Sequence, residues 1–333
     1  LNSNLITAEK FSDDLNLVGD VVDIDLEKII ECQDNGVVPI VPPIGFTKDG
    51  VMLNINADNV ANFIVENINP LKYIVLNEMG GIYDEYLIKK ISIVDDFESL
   101  VGSGIVSGGM KKKLVEGKNL LEKMDGDFSI QIVSPDYLDS ELFSYSGHGT
   151  KIVSDYGIEK YEDLLQLDEE QIKSLLEFGF GKNLSKDYFS NLNLEFLLLE
   201  EDYDGVAIVE KLGDFHYLNK LVVNHSLGKT GLGKKLLTNV IDEVKSNGGN
   251  LFWKCSHDNN NNSNSFYKKY LDGKEGSSFF DYGDYTFYSV GEKISQNEGL
   301  LELAMNKKDF SNVLKFNKTL LFHMKQKSSF INN

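Results

Sequence analysis

The stretch HSLGKTGLGKKLL, residues 225–237, decides how this chain is read. Gly228, Gly233 and Lys234 fall where the phosphate loop G-x-x-x-x-G-K needs them, but Lys235 stands where Ser or Thr should follow. That hydroxyl ligates Mg²⁺ beside the phosphates, and a lysine cannot. No strand ending in Asp follows to complete a triphosphate site. An apolar strand, NKLVV, precedes the loop, and a helical pattern starts near Leu232. A strand, a glycine-rich loop and a helix start aim backbone N–H groups at an anion. The expectation is a pyrophosphate site without metal, with an ordinary glycine-rich turn as the alternative.

Composition narrows what can bind there. The chain has 333 residues, enough for two domains with separate cores, and its 41% hydrophobic content with 20 Phe and 15 Tyr is that of a globular protein. A net charge of −19 argues against a generic nucleic-acid or anionic-membrane surface, so an anionic ligand must be held by local N–H groups and a few lysines. No apolar run approaches a membrane span. All 33 cationic residues are Lys, which reads as a coding bias. Cys32 and Cys255 are too few for a disulfide framework and fit a reducing compartment. The chain opens on Leu, without a signal or transit pattern, and is expected to be processed or a fragment.

Upstream of the loop, strand and helix signals alternate. GVVPIVPPIGF (36–46) reads as an apolar strand and TKDGVMLNI as a hairpin around Asp49-Gly50. NADNVANFIVENI has helical spacing at Val60, Phe63, Ile64 and Ile68, and KYIVLNEM reads as a buried strand. This order implies a parallel sheet with right-handed crossovers. GGMKKKLVEGKNLLEKM (108–124) is a second helix loosened at its two glycines, and residues 151–200 read as acidic and mainly helical. From Asp204 strands take over: a hairpin closing near Gly213, the loop and its helix, and the strand NLFWKCS. NNNNSNS (259–265) reads as a solvated insertion, and residues 296–333 as one more helix and a polar tail.

The loop with its flanks resembles the pyrophosphate loop of GNAT acetyltransferases. A closer resemblance is to the acetyltransferase domain of N-acetylglutamate synthases of the vertebrate and fungal type. YLNKLVVNHSLGKTGLGKKL, LFWKCS, SFYKKYLDG and the opening LDEEQIKSLLEFGFGKNLSKDYFSNL match that family in order and spacing. VPIVPPIGFTKDGVMLNINADNVANFIVENI, SGGMKKKL and ELFSYSGHGT resemble the amino-acid kinase fold of acetylglutamate kinases. The resemblance implies an α/β chain in three parts. Residues 1–154 form a partial amino-acid kinase fold, an open, mainly parallel sheet with helices on both faces. Residues 155–295 form a GNAT fold, a mixed and strongly twisted sheet flanked by helices. Residues 296–333 form a C-terminal helix and tail.

The same resemblance assigns residues. Leu221, Val222 and Val223 align the acetyl-pantetheine arm of acetyl-CoA, and Gly228, Lys229, Thr230, Gly231, Leu232 and Gly233 hold its pyrophosphate, with no metal. Lys220, Lys254 and Ser256 hold the carboxylates of L-glutamate. Lys254 and Ser256 alternate on one strand and share a face, while Trp253 and Cys255 take the other. The family carries arginines at those two positions, so a bidentate fork is missing here. Lys220 has an exposed strand lysine as its alternative. Tyr267 donates a hydrogen bond or proton near the departing thiolate, and Asn261 contacts substrate, with Asn259 competing for that role. In the kinase-like part, Asn54, Asn56, Asp58 and Lys113 match substrate and phosphate contacts, with a helix cap as the alternative for Asp58. Glu141, Gly147 and Gly149 match an arginine-responsive segment. The kinase's Lys-Gly-Gly loop is absent from this chain, so acetyl transfer rather than phosphorylation is expected. The implied role is N-acetylglutamate synthesis in the mitochondrial matrix by a homo-oligomer joined through its kinase-like part and responsive to L-arginine. The rival readings are a fungal-type acetylglutamate kinase with a regulatory acetyltransferase domain and a non-catalytic sensor.

Overall fold

The computed structural model describes residues 5–12, 17–124, 126–143, 147–224, 227, 230–257, 263–295, 297–307 and 309–313. In the first half, β1 (Ile6–Lys10), β2 (Val18–Ile24), β3 (Ile44–Phe46) and β4 (Met52–Ile55) close into a small barrel in the order β1-β2-β4-β3. Helices α1 (Leu26–Asp34) and α2 (Ala57–Ile68) accompany it. A four-stranded sheet follows, ordered β5-β7-β8-β6, from β5 (Lys72–Leu76), β6 (Lys90–Ser92), β7 (Ser129–Val133) and β8 (Thr150–Val153). Its outer pairs β5/β7 and β6/β8 are parallel, and the two meet antiparallel at β7/β8. Helices α3 (Ile93–Gly102), α4 (Gly108–Leu121) and α5 (Leu138–Phe143) complete this half.

The second half is one seven-stranded sheet, ordered β15-β16-β14-β13-β12-β11-β9. Its members are β9 (Ile158–Tyr161), β11 (Leu194–Glu200), β12 (Gly205–Leu212), β13 (Phe215–Val223), β14 (Asn250–Ser256), β15 (Ser277–Tyr282) and β16 (Tyr285–Val290). Helices α7 (Leu232–Ser246) and α8 (Ser263–Leu271) carry Leu236, Val240 and Leu271 into a core on one face, with Leu198, Leu218 and Trp253. On the other face, α6 (Glu169–Phe180) buries Ile172, Leu175 and Leu176 against Leu197, Ile208 and Val222. There too α9 (Glu298–Met305) buries Leu300, Leu301 and Ala304 against Tyr217, Phe252 and Phe287. A separate two-stranded pair joins β10 (Lys182–Leu184) to β17 (Phe310–Val313).

Three local expectations give way. Residues 37–43 are not a strand: Pro39, Pro42 and Pro43 withhold ladder donors, and Val37, Val38 and Ile40 are exposed. KYIVL is not a buried strand but the half-buried edge strand β5, with Lys72 and Leu76 exposed. Residues 151–200 are mixed rather than mainly helical, with parts of four strands around α6, the one α-helix among the described residues there. FLLL (196–199) is apolar throughout because β11 is covered on both faces: Phe196 and Leu198 turn to the α7 side, Leu197 and Leu199 to the α6 side. The hairpin at Asp49-Gly50 joins β3 to β4, and Gly213, at φ 60°, turns β12 into β13.

Candidate active site

The site begins where two strands part. β13 and β14 run parallel and pair only from Phe215–Tyr217 to Asn250–Phe252. Beyond that, β13 stays with β12 as far as Val223, and β14 stays with β16 as far as Ser256. Among the described residues, the β14-facing edge of β13 from Leu218 to Val223 therefore lacks a strand partner. It is open to an extended ligand that hydrogen-bonds as a strand does.

A bulge arms this edge. Ile208 pairs with Lys220 and Val209 with Leu218, so Asn219 is the extra residue on β13. Without it, Lys220 would share the face of Leu218; with it, Leu218, Leu221 and Val223 face the α7 core while Lys220 and Val222 turn to the α6 face. Lys220 is thus buried rather than an exposed strand lysine, 5% exposed among Phe180, Tyr188 and Phe310. Its ammonium donates to Asp309 at 2.6 Å and to the Asn219 side chain. Burial pushes the Lys220 pKa down, and the Asp309 carboxylate opposes this. Lys254 lies on the same side of the sheet and donates to the Ala304 carbonyl, over the Tyr285 ring at 4.9 Å. Burial, with the charges of Lys220 and Lys307 nearby, lowers the Lys254 pKa to about 8. Ser256, two residues on, pairs with Tyr285, and its carbonyl accepts from Asn264 at 2.9 Å.

Sequence reasoning missed the rest of this pocket. Glu210 is fully buried and accepts from Asn219 and Lys307. The Tyr188 hydroxyl is buried without a hydrogen-bond partner among the described residues. A glutamate inside the apolar run VAIVEKL was the one available signal for Glu210. Nothing local marks Asp309 or Tyr188.

The opposite face carries Tyr267, packed on Trp253 and Tyr288 with ring centroids 5.4 and 5.2 Å away. Burial, then Cys255 and Tyr288, raises its pKa, so its phenol keeps its proton. The start of α7 lies on this face as well. Leu232 is buried in the core, an added Cβ on Gly233 would meet Val223, and the Thr230 hydroxyl oxygen is buried. Gly231 N–H donates to Asp96 of α3 at 2.5 Å, a partner from the first half of the chain. Gly228, Lys229, Asn261 and the competing Asn259 lie outside the described residues.

In the first half, Lys113 and Asp58 form an ion pair at 3.6 Å and line a small cleft with Asn62, Tyr73 and Glu116. Asp58 is not the helix cap. Asn56 caps α2, accepting from the Asp58 N–H, so Asn56 has a structural role in addition to any other. Asn54 lies on β4, two residues before that cap. Glu141 is 2% exposed, accepts from His148 N–H at 3.3 Å and has Lys72 at 4.0 Å. An added Cβ on Gly147 would collide with the Glu141 carboxylate, and one on Gly149 with the Ile132 carbonyl. Gly147 therefore packs directly on Glu141, while Gly149, two residues on, packs on the backbone of β7. Elsewhere, Glu200, Asp202 and Asp204 bring ligand atoms within 4.8 Å of one another, but Lys90 donates to Glu200 and Asp202 there. Among the described residues no helix is long and apolar enough to cross a membrane.

A sheet that parts beside a glycine-led helix, behind a kinase-like half, defines a two-part α/β protein of the acetyltransferase class. The comparisons agree. Residues 1–134 match the amino acid kinase family, and residues 159–302 match the N-acetyltransferase domain of N-acetylglutamate synthase. The chain joins a kinase-like part to an acetyltransferase part, the N-acetylglutamate synthase type of architecture. An acetylglutamate kinase of Xanthomonas campestris is 32% identical over 268 residues, covering 78% of this chain and 62% of its own length. The mitochondrial N-acetylglutamate synthase of Danio rerio is 27% identical over 292 residues, covering 85% of this chain and 53% of its own. The crystal structure of N-acetylglutamate synthase from Neisseria gonorrhoeae, complexed with coenzyme A and L-arginine, aligns with TM-score 0.54 and 18% identity. It covers 87% of this chain and 71% of that one, a likeness of fold. The chain spans 60–62% of the length of the bacterial kinase relatives.

Proposed function

We propose that this chain transfers acetyl from acetyl-CoA to the α-amine of L-glutamate. The observation that carries the reading is the placement of two lysines, the buried Lys220 and the half-buried Lys254, on one side of the β13/β14 parting. The unpaired edge of Leu221–Val223 takes the pantetheine arm by backbone hydrogen bonds, and residues 228–233 take the pyrophosphate at the start of α7. Lys220 and Lys254 hold the two carboxylates of the acceptor, with Ser256 beside them. The neutral amine attacks the thioester carbonyl and N–H donors at the strand edge stabilise the oxyanion. As the C–S bond breaks, the thiolate takes a hydrogen bond or proton from Tyr267. The proton lost by the amine nitrogen on forming the amide goes to the thiolate through that phenol, which ends protonated. No metal takes part. Asn261 is the further substrate contact.

Arginine regulation belongs to the same reading. Glu141, with Gly147 packed on it, supplies a buried carboxylate for a guanidinium. The mitochondrial names of the eukaryotic relatives support a mitochondrial setting, and association through the kinase-like half remains part of the proposal. The test is mass spectrometry of products from acetyl-CoA and L-glutamate without ATP or Mg²⁺, with and without arginine. N-acetylglutamate is expected. A second reading rests on the Asp58–Lys113 pair and on relatives named acetylglutamate kinase. Phosphorylation of acetylglutamate by ATP, without acetyl transfer, would establish that reading instead. Acetyl-CoA binding without any turnover would leave a sensor.

A further inference from the structure

Both acceptor lysines already have partners, and both partners come from the last described stretch of the chain. Lys220 is paired with the Asp309 carboxylate at 2.6 Å, and Lys254 with the Ala304 carbonyl. Ala304 lies in the last turn of α9, where carbonyls lack intrahelical donors and carry the negative end of the helix dipole. A carboxylate and a carbonyl pole thus stand on the two cations assigned to the two carboxylates of a dicarboxylic amino acid. Asp309 and Phe310 lie beyond residue 302, where the acetyltransferase family match ends.

The attachment of this stretch is uneven. α9 is anchored by Leu300, Leu301 and Ala304 in the core. Past Met305 the chain is held by Lys307 on Glu210, Asp309 on Lys220, the Ser185 N–H on the Asp309 carbonyl at 2.9 Å, Phe310 against Phe180, and the β10/β17 pair. That pair has three partnered positions with a register shift, and an isolated two-stranded pair is marginal on its own. Displacing Asp309 from Lys220 thus asks for movement of the chain past α9 and not of α9 itself, and a rotamer change takes Lys254 off the Ala304 carbonyl.

We propose that Asp309 is an internal competitor of the acceptor, an affinity-setting residue that occupies Lys220 until a substrate carboxylate displaces it. The proposal rests on the acceptor assignment made under Proposed function. Because only the fraction with Lys220 vacated binds acceptor, the apparent affinity is lowered by that fraction.

The test uses the full chain, with Asp309→Ala and the isosteric Asp309→Asn as variants. The KM for glutamate should fall about fivefold to tenfold in both, while kcat and the KM for acetyl-CoA stay near the parent values. Glutarate, a dicarboxylate with no amine to acetylate, should speed hydrogen exchange at residues 309–313 of the parent chain. A glutamate KM that is unchanged or raised in both variants overturns the proposal, as does exchange indifferent to saturating glutarate. If no chain acetylates glutamate yet glutarate still speeds exchange, the competition stands and the glutamate synthase reading falls.

Discussion

Of the two lysines in the proposed acceptor site, Lys254 has no carboxylate in ion-pair contact among the described residues, and its pKa of about 8 makes its charge conditional. Burial and the neighbouring lysines depress that pKa, so the ammonium is complete below about 8 and is lost as pH rises through it. Affinity for N-acetylglutamate, which has no amine of its own to titrate, should fall by up to about tenfold per pH unit above that point. In Lys254→Arg the Lys254 part of that fall should disappear, because a guanidinium does not deprotonate there, leaving the shallower dependence that Lys220, itself lowered by burial, contributes. Calorimetry from pH 7 to 10 decides this, and a parent affinity that is flat or rising would remove Lys254 from the carboxylate grip. Ser256 sits on the same face without a charge. Ser256→Arg should restore a fork-like donor worth about 1.5 to 3 kcal/mol, lowering the glutamate KM by about tenfold or more. A KM that does not fall would move the substrate off β14. Lys254 and Ser256 were legible from strict alternation in KCS. The orientation of Lys220 was not, because it depends on a bulge that only pairing with β12 creates. Asp309 was illegible for a related reason: it reaches Lys220 from 89 positions away in the chain.

The start of α7 is held by more than its own loop. The Asp96 carboxylate accepts from Gly231 N–H at 2.5 Å, from the Tyr156 hydroxyl at 2.6 Å and from Ser92 N–H at 2.9 Å. It is 3% exposed, so water cannot easily replace it. Lys235, in the first turn of α7, adds Asp95 at 3.5 Å and Asp155 at 3.2 Å. The residue that breaks the triphosphate motif is thus an anchor to the kinase-like half. Asp96→Ala leaves buried donors unpaired and should cost about 1 to 3 kcal/mol or more, read as a lower urea midpoint. It should also weaken acetyl-CoA binding, because the N-terminus of α7 loses its fixed position. Unchanged acetyl-CoA affinity in a folded variant would mean the loop sets its own geometry. Gly231→Val is expected to weaken binding as well, but for a reason the sequence did not show: an added Cβ would come 2.8 Å from the Asp96 Oδ1. Local pattern revealed α2, α4, α6 and α7, whose apolar spacing or caps are intrinsic to them. It failed for β11, where an apolar run reports burial on both faces and not period.

Two halves that match separate families are locked at one buried cation. Lys90 of β6 is 2% exposed and donates to Glu200 at the end of β11 and to Asp202 at 2.7 Å. Lys151 of β8 reaches Asp202 at 2.9 Å. Burial works against the Lys90 ammonium, but Glu200 and Asp202 outweigh it and hold its proton more firmly than usual. Burial likewise opposes the Asp202 charge, yet Lys90 and Lys151 carry its pKa below the ordinary value. The sign follows from linkage: a carboxylate depressed in the folded state adds stability above its unfolded pKa, and loses it as pH falls through the folded one. The Asp202 contribution should therefore hold at neutral pH and be lost in acid below about pH 4. Burial raises the Glu200 pKa in spite of Lys90, so the Glu200 contribution has the opposite sign. β8 also continues directly from residues 147–149 beside Glu141, so a ligand that shifts this segment moves a strand bonded to the acetyltransferase half. Lys90→Met leaves Glu200 fully buried without its cation, a loss of about 3 to 5 kcal/mol by analogy with broken buried pairs. Because that energy lies between the halves and not inside either, unfolding in urea should split into two transitions where the parent shows one. Any arginine effect on acetyl transfer should shrink with it, while arginine binding to the kinase-like half persists. A single transition at the parent midpoint, with the arginine effect intact, would show that the halves are coupled elsewhere.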